Sequence, residues 1–433
     1  MRKLLILSLL FVVPLVGSAQ LERARAVTKT LCSPEFHGRG YVNSGDSIAA
    51  EYIAKEFKAA GCSFFKQGAF QPFSFNVNTF PDEMELIING KTLNPGVDYI
   101  VDPSSGGGEL KKARVYKMPI EAIFDQELLA KELKKISLIK NMQSGKNEYT
   151  TVLLYLTGMK GDSLKKGSAL AIKLTKDYTV LQVNDTKFTW SVSDEQFPHP
   201  LIHVQQGAFD MSETEHYVDC TIDAVLRNHT ARNVIAYAPA KKKSSKYLVF
   251  TAHYDHLGRM GQATYFPGGN DNASGTAMLL EMARYFVEHP SSVNVVFMAF
   301  AGEEAGLIGS HHYVQNPIFP LKSIAFLTNV DIMGSGEEGV TIVNATLFPK
   351  QFELLQTINK KNDFLVKVAS RGPAANSDHY FFTEAKVPAF FMYTMGPNKH
   401  YHDVLDTYEE LSFSEFGDIY QLLIDFATCL TKK

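Results

Sequence analysis

The sequence predicts an α/β fold in which a mostly parallel, mixed central sheet lies between layers of helices. From residue 233 onward, short and almost continuously apolar runs alternate with segments of helical periodicity. Strands that are buried on both faces have such runs, because helices cover both sides of a parallel sheet. Between residues 74 and 225 the pattern changes to alternating apolar and polar stretches, which predicts a β-rich inserted domain.

The chain divides into four predicted segments. Residues 1–19 combine a basic start, a short apolar run and small residues, as in a cleaved secretory signal peptide. Residues 20–73 are predicted to be an N-terminal helical part of the main domain. The inserted domain (74–225) contains one predicted helix, at about 120–136, and residues 226–433 complete the main domain.

Within residues 226–433, predicted strands and helices alternate along the chain. The predicted strands are residues 233–238, 247–252, 293–301, 325–331, 340–344 and 388–393. The predicted helices are residues 273–289, 303–315, 349–361, 377–385 and 412–430. In the inserted domain, by contrast, the stretches around 84–90, 150–157, 169–175 and 178–183 are predicted to be strands.

Composition and charge restrict the class of partner. The chain has 43 Lys and Arg against 46 Asp and Glu, and it lacks a long basic tract, so nucleic acid is not expected as a partner. The signal-like start predicts export to the periplasm or secretion, without a membrane anchor. Four scattered cysteines lack metal-binding spacing, although one or two disulfides are possible in an oxidising compartment. The oligomeric state stays open.

Potential metal ligands lie at or just beyond the ends of predicted strands. Ligands gather at the carboxyl ends of strands in open α/β sheets, so these side chains are expected to converge. Two imidazoles and three carboxylates without a thiolate suit a catalytic rather than a structural zinc site. The pattern predicts two Zn²⁺ ions that share one carboxylate and leave room for water, hence a hydrolase. The five residues are His253, Asp271, Glu304, Asp331 and His402.

Taken singly, each of these residues has an ordinary structural explanation. An Asp before a helix is usually a cap, and a His at a strand end usually makes a structural hydrogen bond. The tandem Glu303-Glu304 could simply favour the positive end of a helix dipole. A metal site is favoured because all of these polar groups are expected at one rim of the sheet.

At these residues the chain resembles the di-zinc, co-catalytic aminopeptidases, whose relatives include glutamate carboxypeptidases, transferrin-receptor ectodomains and glutaminyl cyclases. The resemblance implies a phosphorylase/hydrolase-like zinc exopeptidase fold and makes residues 226–433 the catalytic di-zinc peptidase domain. The motifs that carry it are His253–Asp255, the loop around Asp271, Glu303-Glu304, Asn329–Asp331, Ser377–His379, Tyr401-His402 and the turn His37–Gly40.

The resemblance also implies roles for individual residues. Asp271 would bridge the two zinc ions, and a cis peptide bond would follow it. The other ligands would be paired, His253 with Asp331 on one ion and Glu304 with His402 on the other.

Catalytic roles follow from the same resemblance. Glu303 would be the general base, Asp255 would orient the His253 imidazole, and Tyr401 would stabilise the oxyanion of the scissile carbonyl. Asp378 and, more weakly, Asp406 are candidates for contacts with substrate or with the ligands. Five other histidines near these motifs receive no role: His256, His311, His312, His379 and His400.

The resemblance implies an exported aminopeptidase that removes N-terminal residues from peptides. One alternative is a glutaminyl-peptide cyclotransferase, which is disfavoured because family cyclases lack the ligand that corresponds to His253. Other exopeptidases of this fold, such as dipeptidases or carboxypeptidases, stay open. A receptor-like binding protein is disfavoured because all five ligands and the base are present. The inserted domain could be a protease-associated-like lid.

Overall fold

The computed structural model describes residues 13–142 and 149–432, which form two mixed sheets covered by helices. In this part of the chain the α-helices are α1 (Val13–Leu31), α2 (Gly45–Ala59), α3 (Gln126–Met142), α4 (Gly161–Leu174), α5 (Gly275–Glu288), α6 (Ile308–Gln315), α7 (Pro349–Asn362), α8 (His379–Glu384) and α9 (Phe416–Thr431). The strands are β1 (Phe70–Thr79), β2 (Met84–Ile88), β3 (Lys91–Thr92), β4 (Tyr99–Val101), β5 (Gly108–Lys117), β6 (Tyr149–Tyr155), β7 (Thr179–Asn184), β8 (Leu201–Gln205), β9 (Tyr217–Ile222), β10 (Val225–Ala238), β11 (Tyr247–His253), β12 (Arg259–Met260), β13 (Thr264–Tyr265), β14 (Asn294–Phe300), β15 (Ile324–Asp331), β16 (Val340–Val343), β17 (Val368–Ser370) and β18 (Ala389–Thr394).

The central sheet has the strand order β1-β10-β14-β11-β15-β18-β16-β17. Its middle strands β14, β11, β15 and β18 are parallel. Strand β10 pairs antiparallel with both β1 and β14, and β16 pairs antiparallel with β18 but parallel with β17. Side chains alternate between two cores: Phe250 and Phe297 pack on one face, and Val249 and Val296 on the other. The predicted mixed α/β fold, with strands buried on both faces, is confirmed.

The inserted segment has its own eight-stranded sheet, in the order β3-β2-β9-β5-β6-β7-β8-β4. The prediction of a single helix in this segment was wrong, because both α3 and α4 pack on the sheet. Residues 169–175, predicted as a strand, lie almost entirely in α4. The buried residues of α4 follow a helical spacing: Gly167, Leu170, Ala171 and Leu174.

Residues at the N-terminus are described only from Val13, where α1 begins. The predicted cleavage point after Ala19 lies inside this helix, and residues 1–12 of the predicted signal peptide lie outside the described residues. No helix in the described ranges is both long and apolar enough to cross a membrane. All four cysteines are free thiols, so none of them forms a disulfide in this structure.

The turn after β14 differs from the prediction of a helix over 303–315. Helix α6 begins only at Ile308 because Gly306 and Leu307 have positive φ angles of 106° and 62°. Glu303 and Glu304 therefore lie in a turn at the carboxyl end of β14. In the parallel part of the sheet, β11 lies next to β14, and β15 lies next to β11. The two glutamates are therefore near the carboxyl ends of β11 and β15.

Candidate metal centre

The structure brings all five predicted metal ligands together at the carboxyl edge of the central sheet. His253 and Asp331 are the last residues of β11 and β15. Asp271 lies in the loop before α5, and the peptide bond that follows it is cis, as the resemblance implied. Glu304 comes from the turn after β14, and His402 comes from the loop between β18 and α9.

The Asp271 carboxylate lies between the two imidazoles. Its Oδ1 is 3.2 Å from His253 Nε2, and its Oδ2 is 3.1 Å from His402 Nε2. Each imidazole also faces a second carboxylate: His253 Nε2 is 3.4 Å from Asp331 Oδ2, and His402 Nε2 is 3.2 Å from Glu304 Oε2. We call these groups the His253 subsite (His253, Asp271, Asp331) and the His402 subsite (His402, Asp271, Glu304).

Hydrogen bonds at the far side of each ring assign the protons of the two imidazoles. His253 Nδ1 is 3.1 Å from the backbone oxygen of Asp255, and His402 Nδ1 is 2.8 Å from the backbone oxygen of Trp190. A carbonyl oxygen can only accept, so each Nδ1 carries a proton and donates it. Each Nε2 of a neutral ring then turns a lone pair toward carboxylate oxygens, which are also acceptors. That arrangement requires a positive charge between them.

The pKa of His402 shows the same requirement. Burial alone would lower this pKa, but the carboxylates of Glu304 and Asp271 raise it to about 11. In the metal-free protein a proton on Nε2 thus stands where a cation would bind. Asp331 Oδ1 is buried without a hydrogen-bond partner among the described residues, as expected for an atom that binds an ion.

The pocket carries more carboxyl groups than its own cations neutralise. Burial raises the pKa of Asp255 to about 6 and that of Asp378 to about 7, and nearby carboxylates add to both effects. The pKa of Asp331 is also raised, mainly by burial. Divalent cations would relieve this repulsion, because they favour the ionised form of every carboxylate around them.

Glu303 lies beside the His253 subsite, in a position separate from that of Glu304. It groups with His253 and Asp331, whereas Glu304 groups with His253 and Asp271. Burial raises the pKa of Glu303 well above its usual range, against the opposing charge of His253, and the carboxylate of Glu304 adds to the rise. A carboxylate of high proton affinity at the edge of the site suits a general base.

Asp255 makes different contacts from those expected. Its carboxylate is 3.8 Å from His253 Nδ1, and its backbone oxygen accepts the imidazole proton instead. The carboxylate accepts hydrogen bonds from the backbone N–H groups of Glu303 and Glu304 at 3.2 and 3.3 Å, and from the Tyr41 hydroxyl at 2.6 Å. Asp255 thus fixes the turn that carries the tandem glutamates as well as the His253 ring.

His256 was given no role from the sequence, yet it contacts a predicted ligand. Its Nδ1 is 2.7 Å from Glu304 Oε1, and the ring is fully buried. This contact leaves Glu304 Oε2 facing His402, so His256 orients the carboxylate toward the His402 subsite. Its position in the loop that follows β11, three residues after His253, was the one available signal.

The loop that carries Asp271 is fixed from two sides. Asp406 accepts hydrogen bonds from the backbone N–H groups of Asn270 and Asp271 at 2.9 to 3.1 Å, so it holds the loop. Arg39, which is fully buried, donates to the carbonyl oxygens of Gly268 and Pro267 at 2.7 Å. Neither contact could be inferred from sequence, since a backbone acceptor leaves no pattern of residue types.

Replacing Arg39 with Met is expected to lower the free energy of unfolding by about 3 kcal/mol, because several buried carbonyl groups lose their only charged donor. Besides the loop carbonyls, Arg39 donates to the backbone oxygens of Tyr254 and Leu31 at 2.8 and 2.9 Å. Urea unfolding measures the change. R25M is a matched control that removes an exposed guanidinium, with its contacts to the Ser412 carbonyl and the Phe413 ring. Equal unfolding midpoints for R39M and R25M would contradict this account of the buried guanidinium.

Tyr401 and Asp378 lie next to the ligands. The Tyr401 ring stacks on the His402 ring, with centroids 3.8 Å apart, and about half of the residue is exposed. Asp378 is fully buried, and its charge contributes to the raised pKa of Glu303. Tyr401 can therefore reach a bound molecule directly, while Asp378 acts on the site through its charge.

Two cavities open at the candidate site and share the wall formed by Asp271, Ile332, Tyr393 and Tyr401. The larger has a volume of about 400 Å³ and extends toward Met395. The smaller cavity has a volume of about 260 Å³ and lies on the side of the site that carries Glu303. Its walls also include His253, Asp331 and Arg371. A molecule bound across the ligands can therefore extend to either side of Tyr401.

Comparison with known proteins relates this site to a peptidase family. Residues 233–427 match the family model described as Peptidase family M28, which is just under half of the chain. Among curated proteins, Aminopeptidase YwaD of Bacillus subtilis is 31% identical over 206 residues, which is 44% of each chain. A probable leucine aminopeptidase of Trichophyton verrucosum is 29% identical over 199 residues, or 43% of this chain and 54% of the relative. The alignments thus span about half the length of these relatives.

Solved structures extend the similarity of fold to nearly the whole chain. A zinc aminopeptidase from Bacillus subtilis, BSAP, matches with a TM-score of 0.68 and 20% identity over 95% of both chains. A peptidase M28 precursor from Shewanella amazonensis matches with a TM-score of 0.64 and 12% identity over 96% of both chains. Both structures include a counterpart of most of this chain, so the fold of the inserted segment is shared as well.

Proposed function

We propose that this chain, whose residues 233–427 are related to peptidase family M28, is an exported zinc-dependent aminopeptidase. The observation that carries the proposal is the pair of imidazole Nε2 atoms that face three carboxylates, with Asp271 shared between them. Relatives named aminopeptidase and zinc metalloprotease support both the metal and the reaction. The signal-like N-terminus supports export.

The residues present fit two zinc ions. Each subsite offers one neutral imidazole, one terminal carboxylate and one oxygen of Asp271, which are ligand types that zinc prefers. Both imidazoles are held in the correct tautomer by backbone carbonyls, as is usual for ligating histidines. Three protein ligands per ion leave a position for water, which distinguishes a catalytic from a structural site.

Hydrolysis divides among the residues around this site. Zinc, when bound, would polarise the scissile carbonyl and acidify a water molecule. Glu303 takes the proton of the attacking water and delivers it to the leaving amine, so one carboxylate serves both proton transfers. Tyr401, half exposed beside His402, donates a hydrogen bond to the carbonyl oxygen as negative charge develops on it.

The excess of buried carboxylates also favours a substrate with a free α-amine. A positively charged N-terminus is attracted into a cavity whose wall includes Asp271, Glu303 and Asp331. A peptide that begins in this site leaves through one of the two cavities that flank Tyr401. An internal peptide segment brings no positive charge to this position, so cleavage of the N-terminal bond is favoured.

The test compares matched substrates with free and blocked N-termini. Aminoacyl p-nitroanilides should be hydrolysed, whereas their N-acetyl derivatives should not, and a chelator should abolish the activity until zinc is restored. A glutaminyl peptide tested in parallel reports cyclisation. Equal turnover of free and acetylated substrates would reject an aminopeptidase, and cyclisation without hydrolysis would favour the cyclotransferase.

A further inference from the structure

The inserted segment contacts the loop that carries Tyr401 and His402. Residues 187–190 lie in the connection between β7 and β8, and they reach residues 399–403 of the catalytic domain. We call residues 187–190 the bracing segment. Its contacts are of two kinds, one through the backbone of Trp190 and one through the side chain of Lys187.

The peptide groups of Trp190 pair with His402 in both directions. The Trp190 N–H donates to the backbone oxygen of His402 at 3.0 Å. The Trp190 carbonyl accepts the Nδ1 proton of the His402 ring at 2.8 Å. One residue of the inserted domain thus fixes both the backbone and the ring of the ligand, and so sets the direction of its Nε2 atom.

Lys187 holds the rest of the loop. Its ammonium group is 2.6 Å from Asp403 Oδ2 and donates to the backbone oxygen of Tyr401 at 3.4 Å. It also donates to the backbone oxygen of Lys399. The Lys187 side chain is about half exposed, and its three acceptors lie on both sides of His402 in sequence, so this cation supports the loop around the ligand.

The bracing segment is itself firmly anchored. The Trp190 side chain is 3% exposed, and its ring stacks on Phe266 of the catalytic domain with centroids 4.6 Å apart. The indole N–H donates to the backbone oxygen of Val101 in β4 at 2.8 Å. Through these contacts to both domains, Trp190 fixes the position of the segment against which the His402 loop packs.

The backbone of His402 needs such support. Its φ angle is 57°, in the left-handed region that residues other than glycine rarely adopt. A conformation of this kind costs free energy and persists only where the surroundings determine it. The paired hydrogen bonds to Trp190 hold His402 in this conformation, and Trp190 lies 212 positions away in the chain.

We propose that the bracing segment positions His402, so that the inserted domain is a required part of the His402 subsite. This inference rests on the proposed zinc-dependent function. It gives the inserted domain a role in metal binding that is separate from any role as a lid. Loosening the bracing segment lowers the zinc affinity of the His402 subsite and leaves the zinc affinity of the His253 subsite unchanged.

Lys187→Ala tests the inference on the full-length protein. Metal-free samples are dialysed against buffers of fixed free zinc concentration, and the zinc bound per chain is measured. Loss of a group that orients a ligand typically weakens metal binding by 10–100-fold. Half-occupancy of the His402 subsite should therefore require about 10-fold more free zinc in K187A than in wild type. K187R keeps the cation and should stay near wild type. K176A removes an exposed lysine of the same domain and should leave binding unchanged.

The single tryptophan of the chain provides a second readout. The peptide groups of Trp190 are hydrogen-bonded to His402. The fluorescence of Trp190 should therefore change when zinc binds to the His402 subsite of the wild-type protein. In K187A the same change should move to higher zinc concentration. The melting temperature of each metal-free variant shows whether folding is affected.

The outcomes separate clearly. Equal affinity of K187A and wild type for both ions would overturn the inference. A lower melting temperature of metal-free K187A, with both ions weakened equally, would also overturn it, since the segment would then support the fold in general. If wild-type protein bound no zinc, the proposed function would fall together with the inference.

Discussion

Replacing Glu303 with Gln is expected to lower kcat by about 10³-fold while zinc content stays at the wild-type level. The amide has the same shape as the carboxylate but cannot accept the proton of the attacking water. Glu303 lies at the edge of the His253 subsite, whereas Asp271 lies between the two imidazoles. Steady-state rates on an aminoacyl p-nitroanilide, together with zinc analysis of the same sample, measure both quantities.

The control for this variant is Glu353→Gln, at an exposed position on α7. It makes the same chemical change and should retain full activity. If E303Q kept activity near that of E353Q, Glu303 would not be the base. If it lost zinc along with activity, Glu303 would be a ligand, and the division of roles between the tandem glutamates would have to be reversed.

Replacing Asp271 with Asn is expected to empty both subsites at once. The carboxylate faces both imidazoles, so its loss removes a charged ligand from each ion. The affinity should fall by more than the 10–100-fold that is typical when a group behind a ligand is lost. Bound zinc per chain and peptidase activity should therefore decrease together.

Asp363→Asn is the matched control for this second variant. Asp363 is exposed at the end of α7, with a φ angle of 53° that Asn tolerates. This control should retain zinc and activity. A D271N protein that held one ion at wild-type affinity would show that Asp271 serves a single subsite and does not bridge.

The sequence predicted the main domain well because its strands are buried on both faces. Each gives a continuous apolar run, and the polar residue that ends it marks the rim of the sheet, as at His253 and Asp331. The inserted domain was harder to predict. The alternating stretch at 169–175 suits both a strand and an amphipathic helix, and it forms the end of α4 because residues 167–174 bury one helical face.

Contacts that hold the candidate ligands were largely hidden from the sequence. Arg39 and Trp190 act on or through backbone groups far away in the chain, so neither their type nor their spacing indicates the partner. The Asp255 carboxylate was expected at the imidazole, but it binds the backbone of the glutamate turn. Residue type can predict which groups bind a metal, whereas their orientation depends on the long-range packing of loops.

The most direct test of the two-zinc site is anomalous diffraction at the zinc absorption edge from crystals of the zinc-loaded protein. We expect two peaks separated by roughly 3.5–4 Å, as in other two-metal sites. Each peak should lie about 2.0–2.2 Å from its ligands, with Asp271 in contact with both, and Asp331 and Glu304 on separate ions. A single peak, or two peaks that do not share Asp271, would contradict the account.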